Sequence, residues 1–250
     1  MKTCFQLLLA TLTVWTFAGR AAAAGLPAEF DAANKLYAEG KFADAAGSYE
    51  KMIQSGAVSP ALYFNCGNAE FKSGNLGRAI AAYRRAAQEA PRDAEVRANL
   101  DFVRNQVPGP TLRENRWRDW LGTLTLNEWT GLAAVALWLM FALLVARQIR
   151  PALKTALRGV TRVGAAAVIV SCAGAGMDAA DHFSRQTVVV VAPDPTLRSG
   201  PFDEAQSAFA VHDGAELLVQ DRRDNWLQVT DGSGRIGWLQ RQQVELLPGS

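Results

Sequence analysis

Eight residues in the first third of the chain carry side chains suited to holding a peptide: Phe30, Asn34, Tyr37, Phe64, Asn65, Asn68, Phe71 and Lys72. A carboxamide donates and accepts hydrogen bonds as a peptide group does. Aromatic rings offer apolar area with few rotatable bonds, and a lysine adds one mobile cation. Together they point to non-covalent recognition of an extended polypeptide, with ordinary packing the competing assignment for each residue. Catalytic sets do not assemble. His182 and His212 are the only histidines, so neither a metal cluster nor a histidine-based triad forms within the chain. Cys4, Cys66 and Cys172 lack metal-ligand spacing and make no disulfide framework. Gly232-Ser233-Gly234-Arg235-Ile236-Gly237 fits GxGxxG, but a strand follows it where a dinucleotide site needs a helix, so a hairpin turn is expected. The reading is of a non-enzyme with no cofactor and no metal.

The elements that carry the eight residues repeat. Phe30/Phe64, Asn34/Asn68, Gly40/Gly74, Ala45/Ala79 and Tyr49/Tyr83 are identical at a separation of 34 residues, the period of a helix-turn-helix repeat. Gly67 marks a close approach of two helices. Gly74 ends a helix, where a left-handed backbone costs glycine little. Ala79 and Ala86 leave room that Tyr83 fills, and Pro91 stops the second helix. The segment from Tyr63 to Pro91 resembles the tetratricopeptide family closely. The first copy, about 26–59, departs from it: Ala33 stands for the packing glycine, Met52 for a small seat, and no proline follows Ile53. A third helix, Asp93 to Gln106, with Val96, Leu100 and Val103 at helical spacing, is expected to cap the open end. The resemblance implies a groove lined by first-helix side chains. Asn34 and Asn65 sit where some relatives hold a partner's C-terminal carboxylate. Phe30 replaces the first cation expected there, and Glu95 and Asn99 replace the later ones, which favours an aromatic and amide groove.

Residues 1–24 have the layout of a secretory signal peptide: Lys2, an apolar run from Phe5 to Ala18, then Ala21–Ala24. Residues 129–146 hold eighteen consecutive uncharged residues, near the minimum for a membrane span. Trp117 and Trp120, with Trp129 at the start of the span, make 108–128 a tryptophan-rich approach suited to a lipid–water boundary. A second segment, 163–180, is shorter in apolar length. Ala167, Ser171 and Ala175 at every fourth position favour a second span packed on the first, with a buried or re-entrant segment as the alternative. Between them, 147–162 carries Arg147, Arg150, Lys154, Arg158 and Arg162 and no acid. Such a loop is expected on the cytoplasmic side, where it also suits anionic lipid. The leader and the loop then put the repeats and the C-terminal domain outside.

Residues 187–250 change to short β-type runs separated by turn residues, as in a small barrel. Thr196–Pro201, Asp213–Leu217, Asn225–Val229 and Gly234–Leu239 resemble the bacterial SH3-like family, which implies peptide or cell-wall-peptide binding in some members. Trp226 and Trp238 are expected as framework residues. The repeats, 26–107, balance ten acidic against ten basic residues, whereas 187–250 has nine acidic against five basic. The formal net charge of +2 gives no reason to expect nucleic acid.

The fold class is therefore multi-domain: all-α tetratricopeptide hairpins, two transmembrane helices and a C-terminal all-β SH3-like barrel. With Trp117-Arg118-Asp119-Trp120 and Glu128-Trp129 ahead of the first span, this order resembles the BatE-type proteins of the Bacteroides aerotolerance operon family. The resemblance implies an inner-membrane complex with von Willebrand factor A-type proteins and a MoxR-type ATPase. Two roles remain open: a non-enzymatic scaffold with two extracytoplasmic binding modules, and a cell-envelope sensor whose barrel binds peptidoglycan.

Overall fold

A computed structural model describes residues 26–112, 126–150, 155, 157–184 and 186–247. The expected leader, Trp117, Trp120 and Lys154 lie outside them. Five helices come first: α1 (Leu26–Ala38), α2 (Phe42–Gln54), α3 (Pro60–Lys72), α4 (Leu76–Glu89) and α5 (Ala94–Arg104). Two long helices follow, α6 (Leu126–Ile149) and α7 (Arg158–Ser184). The remainder is an antiparallel sheet of seven strands: β1 (Thr187–Val190), β2 (Thr196–Arg198), β3 (Ser207–Ala210), β4 (Glu216–Arg223), β5 (Trp226–Thr230), β6 (Ile236–Gln240) and β7 (Val244–Leu246). Their order across the sheet is β3-β2-β6-β5-β4-β1-β7.

The repeat register is a packing register. Gly74 has φ +86° at the end of α3, and Gly40 has φ +76° at the equivalent end of α1. A Cβ on Gly67 would lie 2.8 Å from the ring of Tyr83, so α3 and α4 meet at a distance that only glycine permits. Ala79 and Ala86 are fully buried around Tyr83. In the first copy Ala33 and Met52 are buried too, so the larger residues are absorbed within the core. Cys66 lies in that core, where burial pushes its thiol up to about 12 and leaves it a small apolar filler. Asp93 caps α5 by accepting from the amides of Glu95 and Val96.

The long helices form an antiparallel hairpin. Each has a stretch long and apolar enough to cross a membrane, Glu128–Ile149 and Arg158–Met177. Large apolar side chains such as Trp138, Phe141 and Ile169 point away from the protein. The packed face of α7 differs from the expected one. Ser171 is buried, Gly174 lies under the Trp129 ring and Gly164 against Leu143, while Ala167 is exposed. The 3.6-residue turn makes spacings of three and four alternate, so a strict fourfold stripe drifts off the contact line. At the other end Arg147 donates to the Thr161 hydroxyl at 3.2 Å.

The sheet surrounds a core of Val188, Val190, Leu197, Leu217, Leu227, Val229 and Leu239. Trp238 is buried with the Arg223 guanidinium 5.6 Å from its ring centre, whereas Trp226 is half-buried. The GxGxxG segment makes the β5–β6 connection, with Gly234 at φ +86°. Buried Asp231 accepts there from the Ser233 and Arg235 amides, the Ser233 hydroxyl and Arg235 Nε. Burial alone would raise its pKa; these donors hold it below the ordinary value.

The barrel is docked on the repeats. Val189 and Leu247 share one buried cluster with Ala79, Ile80, Leu100 and Val103. Glu216 and Glu245 lie at the edge of this contact, and their shifts have opposite signs. Burial raises Glu216, but Arg84 and Arg104 outweigh it, so its folded pKa lies below 4.5. Burial raises Glu245 above 4.5 against the opposing pull of Arg85, with Glu50 and Glu70 adding to the rise and Arg78 to the opposition. The Glu216 contribution is therefore present above 4.5 and lost as pH falls through its lowered value. The Glu245 contribution is fully present below 4.5 and lost as pH rises through its raised value. Denaturant melts across pH should show it. The stability gap between wild type and Glu216→Gln should close in acid. Glu245→Gln should match or exceed wild type near neutrality. A Glu216→Gln gap that widens in acid would contradict the assignment.

Candidate functional site

The helices that carry the candidate residues are the first helix of each repeat, α1 and α3, with α5 in the equivalent third position. Their asparagines form a ladder across the repeats. The Asn34 carbonyl Oδ1 accepts from the Tyr49 hydroxyl at 2.6 Å and from Asn65 Nδ2 at 3.0 Å. One repeat on, Asn68 Oδ1 accepts from the Tyr83 hydroxyl at 2.6 Å and from Asn99 Nδ2 at 3.4 Å. Each rung thus joins the core tyrosine of one repeat to the first helix of the next. Burial raises the pKa of both tyrosines, which keeps the hydroxyls protonated as donors.

Half of each carboxamide pair is consumed in this way and half is not. Among the described residues, Asn34 Nδ2 and Asn68 Nδ2 have no hydrogen-bond partner, and neither do Asn65 Oδ1 and Asn99 Oδ1. All four side chains are partly open to solvent. Each rung therefore offers one donor and one acceptor, the complement of a peptide group.

The aromatic candidates divide into two sets. Phe30 lies against Tyr49 with ring centres 5.8 Å apart, and Phe64 repeats the contact with Tyr83 at 5.8 Å. These two are half-buried and brace the ladder. Tyr37 meets Phe42 edge-on at 5.1 Å, within the first repeat. Phe71 meets Phe102 edge-on at 5.7 Å. Phe102, on α5, is 59% exposed and makes an aromatic shelf at the end of the ladder. Lys72 is exposed at the last turn of α3. The ladder thus brings Asn34, Asn65 and Asn68 together with Phe30 and Phe64, and Phe71 joins the shelf; among the described residues, no hydrogen bond or ring contact joins Tyr37 or Lys72 to it. Phe102 was not foreseen from sequence. Its position, 34 residues after Asn68, breaks the register of side-chain type, and only the exposure of a phenylalanine on a cap helix marks it.

The arrangement holds no nucleophile beside a base, and among the described residues no group of three His, Cys, Asp or Glu side chains is placed to hold a metal. Its open donors and acceptors are suited to non-covalent binding.

Comparison with known families agrees with both modules. Residues 36–100 match the tetratricopeptide repeat family, and residues 193–245 match the bacterial SH3 domain family. The first match starts inside α1, so Phe30 and Asn34 precede it. Both are families of binding modules, and no enzyme family is indicated. A search of curated proteins finds no match to the chain.

Proposed function

We propose that the protein is a membrane-anchored, non-enzymatic scaffold that holds an extended segment of another protein along the asparagine ladder. The observation that carries this reading is the repeated unpaired donor and acceptor, Asn34 and Asn68 Nδ2 with Asn65 and Asn99 Oδ1, beside the Phe71–Phe102 shelf. Recognition of backbone groups tolerates many sequences, and the shelf adds a site for one apolar side chain. Uncharged carboxamides in place of clustered cations favour an internal peptide segment over a free carboxylate terminus.

The two apolar helices support anchoring in a bacterial inner membrane. The basic residues between them, which suit anionic lipid, support a cytoplasmic turn, with the repeats and barrel extracytoplasmic. The domain order supports partners of the aerotolerance type, von Willebrand factor A-type membrane proteins and a MoxR-type ATPase. Phe102→Ala and Asn65→Ala should each lower recovery of crosslinked partners from intact membranes by about tenfold, equivalent to about 1.4 kcal/mol. Phe102 is exposed, so its replacement should leave the thermal midpoint in place. Unchanged recovery with both variants would sink the groove.

The bacterial SH3 match favours a second reading, a cell-envelope sensor whose barrel binds peptidoglycan or wall peptides. Sacculi should then retain the full chain, and deletion of residues 187–250 should abolish that retention.

A further inference from the structure

The polar side of the barrel–repeat contact runs in one direction: the repeats supply the donors and the barrel supplies the carboxylates. Arg84 on α4 donates through Nε to Glu216 at 2.7 Å. Arg104 on α5 donates through Nε and Nη2 to the same carboxylate at 3.0 and 3.2 Å. Arg85 pairs with Glu245 at 2.6 Å. Asp213 accepts from the Gly77 amide in the first turn of α4 at 3.2 Å. The Glu216 side chain is 9% exposed, so either arginine, once removed, leaves charge poorly compensated. Glycines set the spacing of the contact. A Cβ on Gly77 would overlap the Val190 carbonyl oxygen, and one on Gly214 would lie 2.6 Å from Val107.

Helix α5 belongs to both sides. Toward the ladder it carries Asn99, bonded to Asn68, and Phe102, packed on Phe71. Toward the barrel it carries Val103, in the shared cluster, and Arg104, on Glu216. Asn99 and Arg104 lie five positions apart on one helix, so a shift of α5 at its barrel end moves the last rung. The Asn99–Asn68 bond, at 3.4 Å, is the longest in the ladder.

We propose that the barrel acts as the cap of the repeat domain, and that Arg84, Glu216 and Arg104 form a latch through which barrel position sets the geometry of the last rung. The repeats and the barrel are then one coupled unit. The coupling rests on contacts within the chain and is independent of what the groove binds. By linkage, a ligand that shifts the barrel changes affinity at the ladder by the same factor as a ladder ligand changes affinity at the barrel. The physical carrier is a single rigid element held from both sides.

Hydrogen exchange on the full chain in lipid nanodiscs tests this, comparing wild type with Glu216→Gln, which keeps side-chain shape, and Glu216→Arg, which sets three cations together. A Glu204→Gln variant, on an exposed barrel carboxylate, serves as control. Both Glu216 variants should speed exchange at least tenfold in α5 and in the turn of α3 around Asn68, with the control unchanged. If exchange rises only in β4 and its neighbours while α5 and α3 keep wild-type protection, the latch is local and the proposal fails. Wild-type protection throughout in Glu216→Gln also overturns it, whatever Glu216→Arg does to folding.

Discussion

Tyr83→Ala should destabilise the repeats by about 3–5 kcal/mol, the range for truncating a buried aromatic. The ring is 2% exposed and lies on Gly67, in contact distance of Phe64 and at the centre of the alanine seats. Three losses coincide. The apolar contact with Gly67 disappears, a cavity opens that small neighbours cannot fill, and Asn68 Oδ1 loses its shortest donor. Tyr83→Phe separates the last from the others. It keeps the ring and removes only the hydroxyl, so a loss of about 1–2 kcal/mol is expected. Urea melts of both variants give the comparison. Equal losses for Phe and Ala would mean that the hydrogen bond and not the ring governs the site.

Gly77→Ala should destabilise the docked barrel by about 1–3 kcal/mol, the usual cost of overpacking. The sign is the point of the experiment. Gly77 sits in the first turn of α4, where alanine ordinarily favours the helix by about 1 kcal/mol. Here a methyl group would meet the Val190 carbonyl and the Asp213 carboxylate, and the first of these is backbone that side-chain rotation cannot relieve. A protein with mobile barrel and repeats would gain stability from the substitution; a docked one loses it. Limited proteolysis between the modules should accelerate in step with the loss of thermal stability. A more stable variant would contradict the docking.

The repeat hairpins were legible because their signature residues are packing residues. Gly67, Ala79 and Tyr83 occupy positions where only one size fits, so the spacing in sequence is the spacing in space. The barrel was legible in its longer strands. β3, Ser-Ala-Phe-Ala, has no β-branched residue, and β2 and β7 have three residues each, so local preference does not mark them. The site was half legible. The asparagines stood out, but their division into a bonded half and an open half depends on Tyr49 and Tyr83 hydroxyls fifteen residues away. The docking was not legible. Arg84 and Glu216 are 132 residues apart, and no periodicity relates them. The acidic excess of the barrel was its only trace, since Asp213, Glu216 and Glu245 all belong to that excess and all face the repeats.

Arg92, at the corner between α4 and α5, donates through Nη1 and Nη2 to the two carboxylate oxygens of Glu128 at 2.9 Å, at the start of the first long helix. The second long helix ends at Ser184, and β1 begins at Thr187. With these helices in a bilayer, these two links hold the head close to the surface. It cannot sweep a volume above the surface as a module on a flexible tether does, and its capture radius is about its own size. A soluble partner meets it only at bulk concentration. A partner anchored in the same membrane meets it at the far higher local concentration of a shared surface. The proposed groove, with two rungs, would gain most from neighbours that are already confined to its plane.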